Sequence, residues 1–155
     1  MVFDLYSNPE ADNYLYVSDI VLLNNTKWGY QSINSKFSDI DSVIDQASAS
    51  NDKNDILSAA DSLENYLEDV LALLTDTYDI MVVTVNNSVY TTTVVDAFKT
   101  SINTKTASVN TAISAIQTDS ANLRIRDLYY QTQISEKQNS LDSAKIAMNL
   151  AQAKL

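Results

Sequence analysis

The fold of this chain is decided by its C-terminal segment, residues 95–155, which reads VDAFKTSINTKTASVNTAISAIQTDSANLRIRDLYYQTQISEKQNSLDSAKIAMNLAQAKL. A single heptad frame runs through it without a skip. Of 18 positions in two series with a spacing of seven, 13 are apolar or Tyr. The first series is Val95, Ile102, Val109, Ile116, Leu123, Tyr130, Lys137, Ala144 and Ala151, and the second is Lys99, Thr106, Ile113, Ser120, Asp127, Ile134, Leu141, Met148 and Leu155. A sustained period of seven without Pro or Gly predicts one long coiled-coil helix, helix 3, over about 92–155.

The preceding segment shows the same period and predicts helix 2 over about 54–86. Its two series are Ile56, Leu63, Val70 and Thr77, and Ala60, Leu67, Leu74 and Met81. A flanking apolar line widens this face, which indicates packing on more than one neighbour. Residues 81–95 also have strand propensity, so a short hairpin is the alternative to a helix–loop–helix connection there. Thr93 with Asp96 resembles a capping box at the start of helix 3.

Helix 1 is predicted over about 9–48. Asn8 can cap it, and Pro9 suits its first position. Gly29 lies in a five-residue step of the apolar pattern, where we expect a kink beside Trp28. The Trp28 side chain is expected to pack in the core, with the lining of a pocket as the alternative.

Composition favours helices over sheets, because one Gly and one Pro cannot supply the turns of a many-stranded protein. We therefore predict an all-α fold: a long antiparallel bundle of three helices with a projecting coiled-coil arm. Residues 1–155 are expected to form a single elongated helical domain, with the bundle reaching about residue 128 and the arm covering 129–155. Because the apolar frame continues to the last residue, the chain is expected to be an excerpt of a longer protein.

The residue types present exclude several functions. The chain has no Cys and no His, so it has no zinc finger, thiol nucleophile or Ser-His-Asp triad. We expect no enzyme, no cofactor and no metal site; clustered carboxylates such as Asp39, Asp41 and Asp45 are expected to be a solvated face. A net charge of −10 disfavours nucleic acid and anionic lipid. No apolar run approaches the roughly 20 residues of a membrane span, so direct membrane insertion by this segment is not expected.

The arm carries the candidate binding surface. We call its apolar positions the C-terminal seam: Ile134, Leu141, Ala144, Met148, Ala151 and Leu155. An apolar face of this length should be covered by another helix. That helix would come from a second copy or from a missing hairpin arm. Tyr129 and Tyr130 are expected in the core, with a contact patch as the alternative.

Residues Gln131–Leu155 resemble the second arm of the α-helical hairpin in periplasmic adaptor proteins, the HlyD-like membrane-fusion family. The likeness lies in Gln131, Gln133 and Gln138, in the Leu/Ala spacing that follows, and in the terminal Ala-Gln-Ala-Lys-Leu. Residues 57–81 and 92–121 resemble a long helical insertion in adaptor homologues. The Arg-Leu-Ser tip pattern of some hairpins is not matched at Arg124 or Arg126, and no binding residue is carried over.

The resemblance implies a structural and interaction module: the stalk of an extracytoplasmic adaptor, periplasmic or cell-surface, that spaces and assembles a transport or secretion complex. Family membership would imply ring oligomers and an anchor in sequence outside this chain. Two alternatives stay open. One is an extracellular ligand-sensing helical bundle of a receptor, with a polar-lined pocket near Trp28. The other is a self-assembling filament or fibre subunit.

Overall fold

The computed structural model describes residues 17–50 and 52–153. It contains three α-helices in these ranges: α1 at Ile20–Ser50, α2 at Lys53–Val83 and α3 at Thr92–Gln152. The described residues hold no β-strand, only an isolated antiparallel bridge between Val17 and Thr84. The predicted all-α helical bundle is confirmed.

The chain divides into two units, Met1–Gln117 and Thr118–Leu155. The first unit holds α1, α2 and residues 92–117 of α3. The second unit holds the remaining turns of α3. The boundary expected between bundle and arm at about residue 128 stays a prediction.

Helix α1 begins with a side-chain cap at Asp19, whose Oδ1 accepts hydrogen bonds from the backbone N–H groups of Val21 (3.1 Å) and Leu22 (2.9 Å). Residues 17–19 are therefore not helical, so the prediction that helix 1 begins at about residue 9 is wrong over these three residues. Residues 9–16 lie outside the described part of the chain. The cause is a contact between chain segments. The backbone N–H and the hydroxyl of Ser18 both donate to the Val83 carbonyl oxygen, at 3.3 and 3.2 Å.

Helix α2 begins after Asp52, whose Oδ1 accepts from the Asn54 N–H at 2.7 Å, and ends at Val83. The predicted end at about 86 was three residues too late. Thr84 has an extended backbone and takes part in the bridge to Val17, which stops the helix there. Apolar character continues through Val85, so periodicity alone could not locate this end.

The connection between α2 and α3 spans residues 84–91, which confirms helix–loop–helix and excludes the hairpin alternative. Asn87 organises it, because its Oδ1 accepts from the N–H groups of Val89 and Tyr90, both at 2.8 Å. The start of α3 at Thr92 is as predicted. The capping hydroxyl belongs to Thr91, which accepts from the Val94 N–H at 3.4 Å, and the expected box at Thr93 was wrong.

The core of the first unit lies among all three helices. Helices α1 and α2 are antiparallel neighbours, joined midway by a 2.7 Å ion pair between Lys36 and Asp69. The buried cluster consists of Leu74, Ile80, Met81, Tyr90, Val95 and Ile102. Val95, Ile102 and Ile113 are the buried residues of α3 in this unit. All three belong to the heptad series, so the period correctly predicted the inward face of this part of α3.

Replacing Gly29 by Ala is expected to raise the free energy of unfolding by about 0.5–1 kcal/mol, the difference in helix propensity between the two residues. Gly29 lies inside α1, and an added Cβ would meet Leu73 Cδ1 at 3.5 Å, an ordinary van der Waals contact. Urea unfolding followed by circular dichroism measures the change. A loss of stability would show that α1 and α2 cannot accept the methyl group.

Candidate functional site

An open groove lies on the first unit, where α1, α2 and α3 meet. Its volume is about 690 Å³, within the range of small-molecule sites. Each helix contributes about two turns. The lining residues are Tyr30, Ile33, Asn34 and Phe37 from α1, Tyr66, Val70, Leu73 and Leu74 from α2, and Ser101, Lys105, Ser108 and Val109 from α3.

The groove combines apolar walls with hydrogen-bond donors. Aliphatic and aromatic side chains form most of its surface, and Lys105 is its one cationic lining residue. Among the lining residues there is no carboxylate. Burial raises the pKa of the Tyr66 hydroxyl above its ordinary value of 10.0, since the ionised form would lose hydration. The Tyr66 hydroxyl can donate a hydrogen bond to a bound acceptor.

The sequence predicted that the Trp28 side chain packs in the core or lines a pocket, and both predictions were wrong. Trp28 is 70 % exposed, so it does not pack in the core, and it is not among the groove's lining residues. The groove begins at Tyr30, two residues further along α1. The missed signal was the set Tyr30, Ile33 and Phe37, whose spacing of three and four places them on one side of the helix.

The C-terminal seam lies on the second unit. Its large side chains are exposed: Ile134 by 68 %, Leu141 by 49 % and Met148 by 55 %. Ala144 and Ala151 are exposed as well, and Leu155 lies outside the described residues. The helix brings the described members together in one row, because positions three, four and seven apart share a face. Their role as a partner-helix surface stays a prediction.

The second unit also carries a second apolar surface that sequence reasoning missed. At about 100° per residue its members lie on the opposite side of α3 from Leu141. They are Ile125, Leu128, Ile146 and Leu150, with exposed fractions of 66, 66, 61 and 59 %. Ile125 and Leu128 are three residues apart, and Ile146 and Leu150 are four residues apart. The long heptad frame obscured this spacing. We call these four residues the opposite face.

Tyr129 and Tyr130 also lie on the surface of this unit. They are 59 and 62 % exposed, so the expectation that they belong to the core was wrong. Their rings form an edge-to-face pair with centroids 5.6 Å apart. This arrangement leaves both rings accessible beside the apolar surfaces of α3.

The described residues contain neither a metal-binding cluster nor a membrane span. No three Asp or Glu side chains there form a group that would hold a metal ion. None of the helices in residues 17–50 and 52–153 has the length and apolarity of a bilayer span.

Comparison with known proteins identifies no relative. No family model matches the chain, and neither the curated proteins nor the solved structures contain a match.

Proposed function

We propose that this chain is a non-catalytic assembly module, in which the C-terminal seam binds another helix. The observation that carries the proposal is the exposure of Ile134, Leu141 and Met148 in one row on α3. Apolar side chains in such a row gain free energy when a neighbouring helix removes them from water. Full burial of each is worth about 1.5–3 kcal/mol.

The spacing of the seam suits a coiled-coil partner. From Leu141 onward the seam residues alternate by three and four positions, as knobs-into-holes packing requires. Lys137 interrupts the apolar series between Ile134 and Leu141. A single polar residue at such a position favours one register over others, at some loss of stability. The partner helix is a second copy of this chain or the other arm of a hairpin.

The more specific proposal is the stalk of an extracytoplasmic transporter adaptor. It is supported by the resemblance of Gln131–Leu155 to the second hairpin arm of HlyD-like proteins. In this role the chain spaces and assembles a transport complex, and an anchor in other sequence holds it at the membrane. A receptor-type sensor is the second candidate function, because the groove in the first unit offers a ligand site.

Single-cysteine variants test the assembly proposal directly, because the chain has no native Cys. We expect Leu141→Cys to be cross-linked between chains by a bis-maleimide reagent, since the seam brings this position against a partner helix. Asp142→Cys is the matched control: it is the next residue and lies about 100° around α3, on neither the seam nor the opposite side. Mass spectrometry of the products identifies the linked residues.

Three outcomes distinguish the candidates. Cross-linking of Leu141→Cys alone, in species of fixed size, supports the assembly module. A ladder of ever longer species that grows with concentration supports the filament. Equal labelling of both variants without cross-links, at protein concentrations up to the solubility limit, contradicts self-assembly.

A further inference from the structure

The groove in the first unit has the dimensions of a small-molecule site. Its lining covers residues 30–37 of α1, 66–74 of α2 and 101–109 of α3. At 1.5 Å per residue, each span is about 12 Å long. The volume of about 690 Å³ accommodates a short acyl chain or a two-ring aromatic compound.

Beyond the groove, both α1 and α2 carry buried residues. On α1, Thr26 and Ala47 lie beyond the groove's two ends, with exposed fractions of 0 and 6 %. On α2, Thr77 and Ala59 lie beyond the two ends of the groove, with exposed fractions of 2 and 7 %. Between these positions the groove lining extends about 12 Å along each helix, a length that matches a small amphipathic ligand.

The polar groups of the groove favour a negative ligand. Lys105 is exposed at its edge and forms no ion pair with any residue that the structure describes. Two carboxylates of α2, at positions 64 and 69, are engaged by other residues. Asp69 pairs with Lys36 at 2.7 Å, and Glu64 accepts a hydrogen bond from Gln117 at 2.6 Å.

Hydroxyl groups extend this donor set along the groove. Tyr66 contributes a protonated hydroxyl, and Ser101 lies one helical turn before Lys105 on α3. An ammonium group and hydroxyl donors beside an apolar wall suit a carboxylate attached to an apolar body. A cation would meet Lys105 with no compensating carboxylate among the lining residues.

We propose that this groove binds a small amphipathic anion, with its carboxylate at Lys105 and its apolar body against Tyr66, Val70 and Leu73. This inference is independent of the assembly proposal, because every residue it uses belongs to the first unit. It assigns the groove a ligand class, a monocarboxylate with an apolar body about 12 Å long.

Calorimetric titration of the full chain with three ten-carbon ligands tests the charge preference. The ligands are decanoate, decanol and decyltrimethylammonium, each kept below its micelle concentration. We expect decanoate to bind at one site per chain, decanol to bind more weakly, and the cation to bind least. Lys105→Gln should weaken decanoate about fivefold, the effect of one partly exposed ion pair, and leave decanol unchanged. Lys145→Gln, in the second unit, is the control for net charge and should change neither.

A filling variant tests the position of the site. Ser108→Trp places an indole in the groove from an exposed helical position, and should abolish binding of both decanoate and decanol. If circular dichroism shows that the Ser108→Trp variant is unfolded, the binding measured for Lys105→Gln still tests the proposal. The proposal is overturned if Lys105→Gln and Lys145→Gln behave alike, or if the three ligands bind equally. It is also overturned if amide chemical shifts show that a second copy of the chain occupies the groove.

Discussion

Replacing Ile80 by Ala is expected to lower the free energy of unfolding by about 2–5 kcal/mol, the range for deleting a large aliphatic side chain from a packed core. Ile80 is 1 % exposed and belongs to the cluster that joins the end of α2 to Tyr90 and Val95. Truncation removes buried methyl and methylene groups and leaves a cavity among three chain segments. Because Met81 beside it is equally buried, the site has little room to collapse.

The control for this prediction is Val82→Ala, two residues further along α2. Val82 is 55 % exposed, so its truncation removes little buried surface. Its effect should stay within about 0.5 kcal/mol, as for most surface substitutions. Urea unfolding by circular dichroism, compared at constant m value, measures both. Equal effects of the two substitutions would mean that the cluster around Ile80 is not the core of the first unit.

Introducing Asp at both Ile134 and Leu141 is expected to weaken association through the C-terminal seam at least 100-fold. The two side chains contribute about 1.5–3 kcal/mol each when buried against a partner helix. A factor of 100 corresponds to about 2.7 kcal/mol, and burial of a carboxylate adds a further penalty. Both positions are exposed in the single chain, so the substitutions should leave its folding intact.

Sedimentation velocity over a range of protein concentrations measures this association. Ser135→Asp with Asn139→Asp is the matched control, because it adds the same charge to the same turns of α3 away from the seam. The control should associate as the unaltered chain does, apart from a small charge effect. If the control variant associates as weakly as the seam variant, the added charge accounts for the loss of association. An unaltered chain that stays monomeric would contradict self-association through the seam.

The size of the associated species shows whether the opposite face of α3 also takes part in association. Ile125, Leu128, Ile146 and Leu150 give the helix apolar surface on two sides. A helix with one apolar face needs one neighbour, whereas a helix with two can contact neighbours on both sides. Dimers in sedimentation would mean that the seam alone is used. Larger species would indicate that the opposite face is used as well, as a ring or a filament requires.

Local sequence determined which residues form helices and, in the first unit, which side of α3 is buried. The heptad series identified Val95, Ile102 and Ile113 correctly, because a period of seven places them on one face whatever the partner. The helix–loop–helix connection and the start at Thr92 were also predicted. These features depend on propensity, capping and periodicity, which act within a few residues.

Only the tertiary structure decided where helices end against other segments and where a groove forms. Residues 17–19 are not helical because Ser18 bonds to the Val83 carbonyl, 65 positions away in sequence. The groove lies where side chains of α1, α2 and α3, far apart in sequence, line one space. Periodicity states which side chains share a face, but it does not state how closely two faces approach. That separation depends on the sizes of side chains meeting from distant parts of the chain, which sets both the core around Ile80 and the space beside Lys105.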